Sequence, residues 1–156
     1  MKKILILMLS LAVLINGCGQ KQAAPAMDIA DITKWVEEVL DFDTKGMYDV
    51  PESFMLEFLR ADSGLFADFV MKVPTGTNQN EYGVFIAAEG REAEAEEAVA
   101  AYLKSRKEDW DNQYLAEEGF KIDAGQSGRE GRYVFFVIGG DAFEEVSHLF
   151  EELAWR

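Results

Sequence analysis

The stretch that most resembles a chemical site is an acidic segment of twelve residues from Asp41 to Glu52. Asp41, Asp43 and Glu52 occupy positions 1, 3 and 12 of an EF-hand calcium loop, and Asp49 lies between them. Calcium in such a loop also needs an oxygen ligand at position 5, where this chain has Lys45, whose ammonium group repels a dication. The sequence therefore predicts no metal site, with calcium binding at Asp41, Asp43, Asp49 and Glu52 as the lesser alternative.

Residue types that perform covalent catalysis are sparse. His148 is the single histidine, and Ser147 beside it would point about 100° away on a helix, so the two form no nucleophile and base pair. The glycine-rich segment 125–131 has neither the nucleophile-elbow spacing nor the ending of a phosphate-binding loop, so a hairpin turn is predicted there. A glycosidase uses two nearby carboxylates, but carboxylates are so numerous in this chain that two of them lying close together would not indicate a glycosidase. We therefore expect no enzyme and no cofactor.

Cys18, the single cysteine, has a specific context at the N-terminus. Residues 1–3 carry two lysines, and residues 4–15 are apolar except for one serine, as in a secretion signal. Twelve helical residues rise about 18 Å, too little to cross a hydrocarbon core of about 30 Å. Ile15 and Gly17 place Cys18 in a sequence resembling a bacterial lipobox, in which the cysteine is lipidated. The prediction is a lipoprotein signal peptide over residues 1–17 and a lipid anchor at Cys18.

Charge and composition limit the partners of the remaining chain. The 156 residues include 15 basic and 29 acidic ones, and removal of residues 1–17 would leave 13 against 29, a formal charge of −16. Such a chain repels phosphate backbones, so no nucleic acid is expected. One cysteine and one histidine provide neither a disulfide framework nor a Cys/His zinc site. Since 49% of the residues are hydrophobic, one folded domain is expected behind a flexible tether over residues 18–27.

The apolar periodicity of residues 28–156 predicts a single α+β domain. Helices are predicted at 28–40, 54–59, 91–110 and 141–153, and strands at 66–73, 82–88, 120–124 and 133–138. A capping box at Asp141 is predicted to start the last helix. These elements predict a four-stranded antiparallel sheet built from two hairpin-helix units, plus an N-terminal helix, with the helices on one face.

Several features of the chain occur together: the lipobox, residues 82–87, Arg106, Tyr114, residues 131–136 and Asp141. In combination they resemble a family of small lipoproteins of Gram-positive bacteria whose domain has no known function. The likeness covers roughly Asp28 to Leu153. It implies a membrane-anchored α+β domain outside the cytoplasm and supplies no catalytic residue.

The function expected from these features is a non-enzymatic binding or interaction module of the cell envelope. The membrane would be a partner through the lipid on Cys18, on its extracytoplasmic face. An envelope protein would be a second partner, bound by a sheet face or edge that lacks helices, because strands 82–88 and 133–138 are apolar on both faces. The alternative is a small-solute receptor with a pocket between sheet and helices, and an enzyme ranks last.

Overall fold

The computed structural model describes residues 27–110 and 115–155. The predicted signal peptide, Cys18 and all of the predicted tether except Met27 lie outside this part. The helices are α1 (Ile29–Val39), α2 (Glu52–Leu59), α3 (Glu92–Asp109), α4 (Ala116–Asp123) and α5 (Phe143–Ala154). The strands are β1 (Tyr48–Asp49), β2 (Phe66–Val73), β3 (Glu81–Ala87), β4 (Gln126–Glu130) and β5 (Tyr133–Ile138). No helix among the described residues is both long enough and apolar enough to cross a membrane.

The five strands form one antiparallel sheet in the order β1-β2-β3-β5-β4. The α+β class is confirmed, and hairpin β2–β3 leads into α3 as predicted. The second hairpin also leads into a helix, α5, but its first strand is β4 and not the predicted strand 120–124. The strand count differs because the two-residue β1 joins the edge of β2, where Tyr48 pairs with Val73. The most apolar strands, β3 and β5, pair with each other at the centre of the sheet. A continuous apolar run is typical of a strand covered on both sides.

Helices cover both faces of this sheet, so the prediction of helices on one face is wrong. Helices α2, α3 and α4 pack on the face that presents Met71, Phe85 and Phe136. Helices α1 and α5 pack on the other face, where Tyr82 and Phe135 lie. Leaving either apolar face in water would cost about 25 cal/mol for each Å² of apolar surface. The helix-free sheet face expected as an interaction surface therefore does not exist in the described domain.

The segment before β5 differs most from the sequence prediction. Residues 120–124 are predicted as a strand, but they belong to the end of α4 and its cap. Phe120 and Ile122 alternate with polar residues, yet Phe120 is 72% exposed, while Gly119 and Ile122 face the core at helical spacing. The predicted turn 125–131 is mostly strand β4. A side chain at Gly128 would come within 2.7 Å of the Phe135 ring, so a glycine there serves strand packing instead of a turn.

Capping explains how the outer helices begin. Asp28 accepts a hydrogen bond from the Ala30 amide at 2.8 Å, which confirms the predicted start of α1. The predicted capping box at Asp141 is wrong, because Ala142 is the N-cap of α5 and makes no side-chain cap bond. The Asp141 amide donates instead to the Asp41 carboxylate at 3.0 Å. This bond ties the end of α1 to the start of α5 across the chain.

Candidate functional site

The most unusual group in the described domain is the buried carboxylate of Glu81, the first residue of β3. Its side chain is 3% exposed. The Tyr102 hydroxyl donates to Oε2 at 2.7 Å, and Arg106 Nε donates to Oε1 at 3.0 Å. Arg106 Nη2 makes a further, shorter hydrogen bond to Oε1. A carboxylate is tolerated at such depth only when its charge and lone pairs are matched in this way.

Helix α3 brings the two partners of Glu81 together. Tyr102 and Arg106 are four residues apart, so both side chains lie on the face of α3 that packs on the sheet. Burial, together with the negative charge of Glu81, raises the pKa of the Tyr102 hydroxyl well above its ordinary value, so it remains a donor. Burial opposes the charge of Arg106, yet the hydrogen bonds and attraction of Glu81 raise the pKa of its guanidinium. Arg106 therefore keeps its positive charge at physiological pH.

A cavity of about 330 Å³ opens above this ion pair. It lies between α2, α3 and the connection from β2 to β3. Its lining residues are Phe58, Val73, Pro74, Gly76, Gln79, Glu81, Tyr102 and Arg106. One wall is apolar and aromatic, and the floor holds a charged pair whose guanidinium also donates to Gln79 Oε1 at 2.9 Å. Ligand pockets for small molecules combine these features, and their volumes begin near 300 Å³.

A second cavity of about 270 Å³ adjoins the first, and the two share Phe58 and Tyr102. The Phe58 ring lies 6.4 Å from the Tyr102 ring and stacks on it, while 42% of Phe58 remains exposed. Arg60 and Lys104 line this second cavity. Phe58 thus lies between the two cavities. The first cavity contains the Glu81–Arg106 pair, and the second is lined by the exposed side chains of Arg60 and Lys104.

A second polar cluster lies on the opposite face of the sheet. The Tyr82 hydroxyl donates to Glu37 Oε1 at 2.5 Å, and Lys72 Nζ lies 3.0 Å from the same oxygen. Burial opposes ionisation of Glu37, but the bonds from Tyr82 and Lys72 lower the pKa of its carboxyl. This cluster lines neither of the two cavities described above. Its contacts hold α1 against β2 and β3.

The four carboxylates of the calcium alternative are not gathered around one point. Asp41 accepts from the Asp141 amide, and Asp43 accepts from the Lys45 amide at 2.9 Å. Asp49 Oδ1 lies 3.6 Å from Lys72 Nζ, and Glu52 begins α2. Within residues 27–110 and 115–155, the structure contains no group of three or more His, Cys, Asp and Glu residues arranged to hold a metal.

The remaining sequence-predicted residues are dispersed. The His148 side chain is 71% exposed on α5, with Nδ1 3.6 Å from Glu152 Oε1, and it lines neither of the cavities beside Phe58. The predicted lipidation residue, Cys18, lies outside the described residues. Glu81 is not among the site residues predicted from the sequence. A signal was present, because Arg106 follows Val99 and Tyr102 at helical spacing on the side of α3 that packs on the sheet, and a cation there needs an anionic partner.

Comparison with known proteins gives one match. The family model described as Domain of unknown function (DUF4358) matches residues 41–139. This range runs from the loop after α1 to the end of β5, and it includes both cavities and the Glu81–Arg106 pair. No curated protein and no solved structure matches the chain.

Proposed function

The chain belongs to the DUF4358 family, a domain of unknown function, and we propose that it is a lipid-anchored, extracytoplasmic binding protein for a small solute. The observation that carries this proposal is the cavity of about 330 Å³ over the Glu81–Arg106 pair. A concave site with convergent polar groups between helices and sheet is what a solute receptor requires. The proposed role is non-enzymatic binding.

The chain offers a direct way to close the cavity. Gly76 lines it, and a Cβ added there would meet no atom within 4 Å. Gly76→Trp should therefore fill the opening without disturbing the core, whereas the matched control Gly76→Ala should leave it open. We expect a small molecule to co-purify with the wild type and Gly76→Ala and to be absent from Gly76→Trp, as measured by mass spectrometry. An identical set of solutes from all three proteins would refute the proposal.

The anchoring part of the proposal is supported by the sequence around Cys18 and by the position of Met27. Two acyl chains on one cysteine would hold a protein stably at a membrane. Glu37, near the end of α1, contacts Lys72 and Tyr82 at the end of the sheet where Glu81 begins β3. Met27 packs against the core on the side of the sheet where α1 and α5 lie, whereas the cavity is on the other side. A tether ending at Met27 would therefore not start beside the cavity.

Replacement of the lipidated sulfur tests the anchor. In cells producing Cys18→Ser, the protein should be lost from the membrane fraction while its thermal stability is unchanged. Labelling of intact cells with an impermeant reagent should reach the wild-type domain if it lies outside the cytoplasm. Unaltered membrane partitioning of Cys18→Ser would refute lipid anchoring and would leave the proposal of solute binding intact.

A second candidate function is binding of an envelope protein, and the exposed aromatic pair of α2 favours it. Phe54 and Phe58 are 50% and 42% exposed, and their rings lie 6.4 Å apart. Only Phe58 lines the cavities. If a protein partner covers this pair, Phe54→Ala and Phe58→Ala should both weaken its crosslinking in cells. If a solute is the ligand, Phe58→Ala should weaken binding and Phe54→Ala should not.

A further inference from the structure

We infer that the ligand is a small organic acid whose apolar part packs on Phe58 and whose carboxylate is bound by the cations around that ring. This inference rests on the proposed function and specifies its ligand. A cavity of about 330 Å³ is at the lower end for small-molecule sites, so the ligand is a free solute and not a folded partner.

The charge of the two cavities is opposite to that of the chain. Arg60, Lys104 and Arg106 line them, against Glu81 and Glu108. Glu81 is buried and fully engaged by Arg106 and Tyr102, so it presents little charge to the opening. The whole chain carries 29 acidic and 15 basic residues. A local excess of cations in such a chain is complementary to an anion.

Donors in this cluster remain available for a ligand. Arg106 Nη1 donates no hydrogen bond to any described residue, while Nε and Nη2 are occupied by Glu81 and Gln79. The Arg60 guanidinium makes no ion pair within the described part of the chain. Lys104 Nζ is 3.7 Å from Glu108 and 76% exposed. Guanidinium groups with free N–H edges are suited to carboxylates.

The backbone at Arg60 determines where its side chain begins relative to Phe58. Arg60 caps the end of α2 in the left-handed conformation, at φ 51°, and no other non-glycine residue in the described ranges has a positive φ. Glycine is the usual residue at such a position, since a side chain is disfavoured there. At Arg60 this conformation ends α2, and the Ala61 amide donates to the Leu56 carbonyl at 2.9 Å. It sets Arg60 two residues after Phe58, and both side chains line the second cavity.

The apolar half of the ligand is indicated by Phe58, Val73 and Pro74. These residues make one wall of the first cavity, and the exposed part of Phe58 can stack on a ring. An acid with one apolar group would therefore contact the Phe58 ring and one of the cations Arg60, Lys104 and Arg106 at the same time. Hydrocinnamate, a phenyl ring two methylenes from a carboxylate, has this form.

The test is a titration of the mature, lipidated chain in detergent with three probes that share one phenyl group. Hydrocinnamate is the acid, hydrocinnamamide its neutral analogue and phenylpropylamine its cationic analogue. We expect saturable NMR shift changes at Val73, Gln79 and Tyr102 with hydrocinnamate, and binding at least about tenfold weaker for the other two. If the amide or the amine binds as tightly as the acid, this inference is wrong and solute binding stands. If none of the three binds at millimolar concentration, the inference is wrong, and solute retention by wild type and Gly76→Trp decides the proposed function separately.

Two charge variants distinguish the effect of a cation beside the cavity on hydrocinnamate binding from the effect of the protein's net charge. Arg60→Gln should weaken hydrocinnamate binding about tenfold, because one charge-assisted contact is lost. The matched control is Lys34→Gln, which removes one exposed positive charge from α1, on the other side of the sheet. Circular dichroism checks that both variants are folded. Equal weakening by Arg60→Gln and Lys34→Gln would refute a specific carboxylate contact.

Discussion

Glu81 and Arg106 illustrate at the residue scale how a site can be built into a small core. Removing one member of a buried ion pair leaves an unmatched charge, whereas replacing both by apolar residues can be nearly neutral. We expect Arg106→Met to lower the free energy of unfolding by about 3 kcal/mol, measured by urea denaturation. The double variant Glu81→Leu with Arg106→Met should recover most of that loss. A loss in the double variant equal to the sum of the losses in Glu81→Leu and Arg106→Met would show that the two residues are not coupled, which would contradict a matched pair.

Asp62 and Arg91 give a pH-dependent prediction at the same scale. Arg91 Nη1 and Nη2 donate to the two oxygens of Asp62 at 2.8 and 2.6 Å. This contact, with the Gly64 amide, lowers the pKa of Asp62 to about 2. A carboxyl with a lowered pKa stabilises the fold above its unfolded pKa of about 4, and that contribution fades as the pH falls towards 2.

The comparison of wild type with Asp62→Asn isolates this effect. The variant should be less stable at pH 7, and the difference between the two proteins should shrink as the pH falls below about 4. Thermal unfolding between pH 7 and the acid limit measures it, and Asp68→Asn, at an exposed position of β2, is the control. A stability difference that stays constant down to pH 2 would contradict an ionised Asp62 as its source.

At the scale of elements, the packing of β3 depends on the absence of a side chain at Gly83. A Cβ there would overlap Phe136 Cε1 and lie 2.7 Å from Phe85 Cε2, and both rings are buried. We expect Gly83→Ala to destabilise the domain by about 1 to 3 kcal/mol, because the rings have little space to move. Gly76→Ala adds the same atom in open space and should change stability little. Equal unfolding midpoints for the two variants would show that the sheet accommodates the methyl group.

The elements also show which parts of the fold can be predicted from sequence. The bounds of β2 are as predicted, and those of β3 and β5 lie within one residue of the prediction. Long runs of apolar or alternating residues fit a strand better than any other element. The strand prediction for residues 120–124 is wrong because a run of five residues fits both the two-residue period of a strand and the 3.6-residue period of a helix. The helix is favoured because it places Ile122 in the core. The second helical layer follows from the two apolar faces of β3 and β5, which the one-face prediction left uncovered.

The candidate site was less predictable than the fold, for a physical reason. Phe58, Gln79, Glu81 and Tyr102 come from α2, a turn, the start of β3 and α3. No local spacing connects them, because the sheet register and the packing of α3 bring them together. The position of Arg106 on the side of α3 that packs on the sheet was the one local sign of a partner. The acidic segment from Asp41 to Glu52 had a more recognisable spacing and forms no metal-ligand group.

At the scale of the whole molecule, the excess of negative charge has a measurable effect on stability. With 29 acidic and 15 basic residues, the folded chain repels itself, and salt screens that repulsion. Surface ion pairs such as Arg129 with Glu96 are weakened by salt, but each contributes at most about 1 kcal/mol. We expect the Tm to rise as sodium chloride is increased from about 10 to 150 mM. A falling Tm would mean that the ion pairs outweigh the general repulsion.

In the proposed function, the cavity over Glu81 and Arg106 is the binding site of a membrane-tethered solute receptor. That function is tested most directly by the affinity of hydrocinnamate for wild type, Gly76→Ala and Gly76→Trp, each lipidated and reconstituted in the same vesicles. We predict saturable binding to wild type and Gly76→Ala and none to Gly76→Trp, with equal Tm values for the three proteins. Equal affinity of all three proteins for hydrocinnamate would mean that the ligand binds elsewhere and would refute this cavity as the binding site.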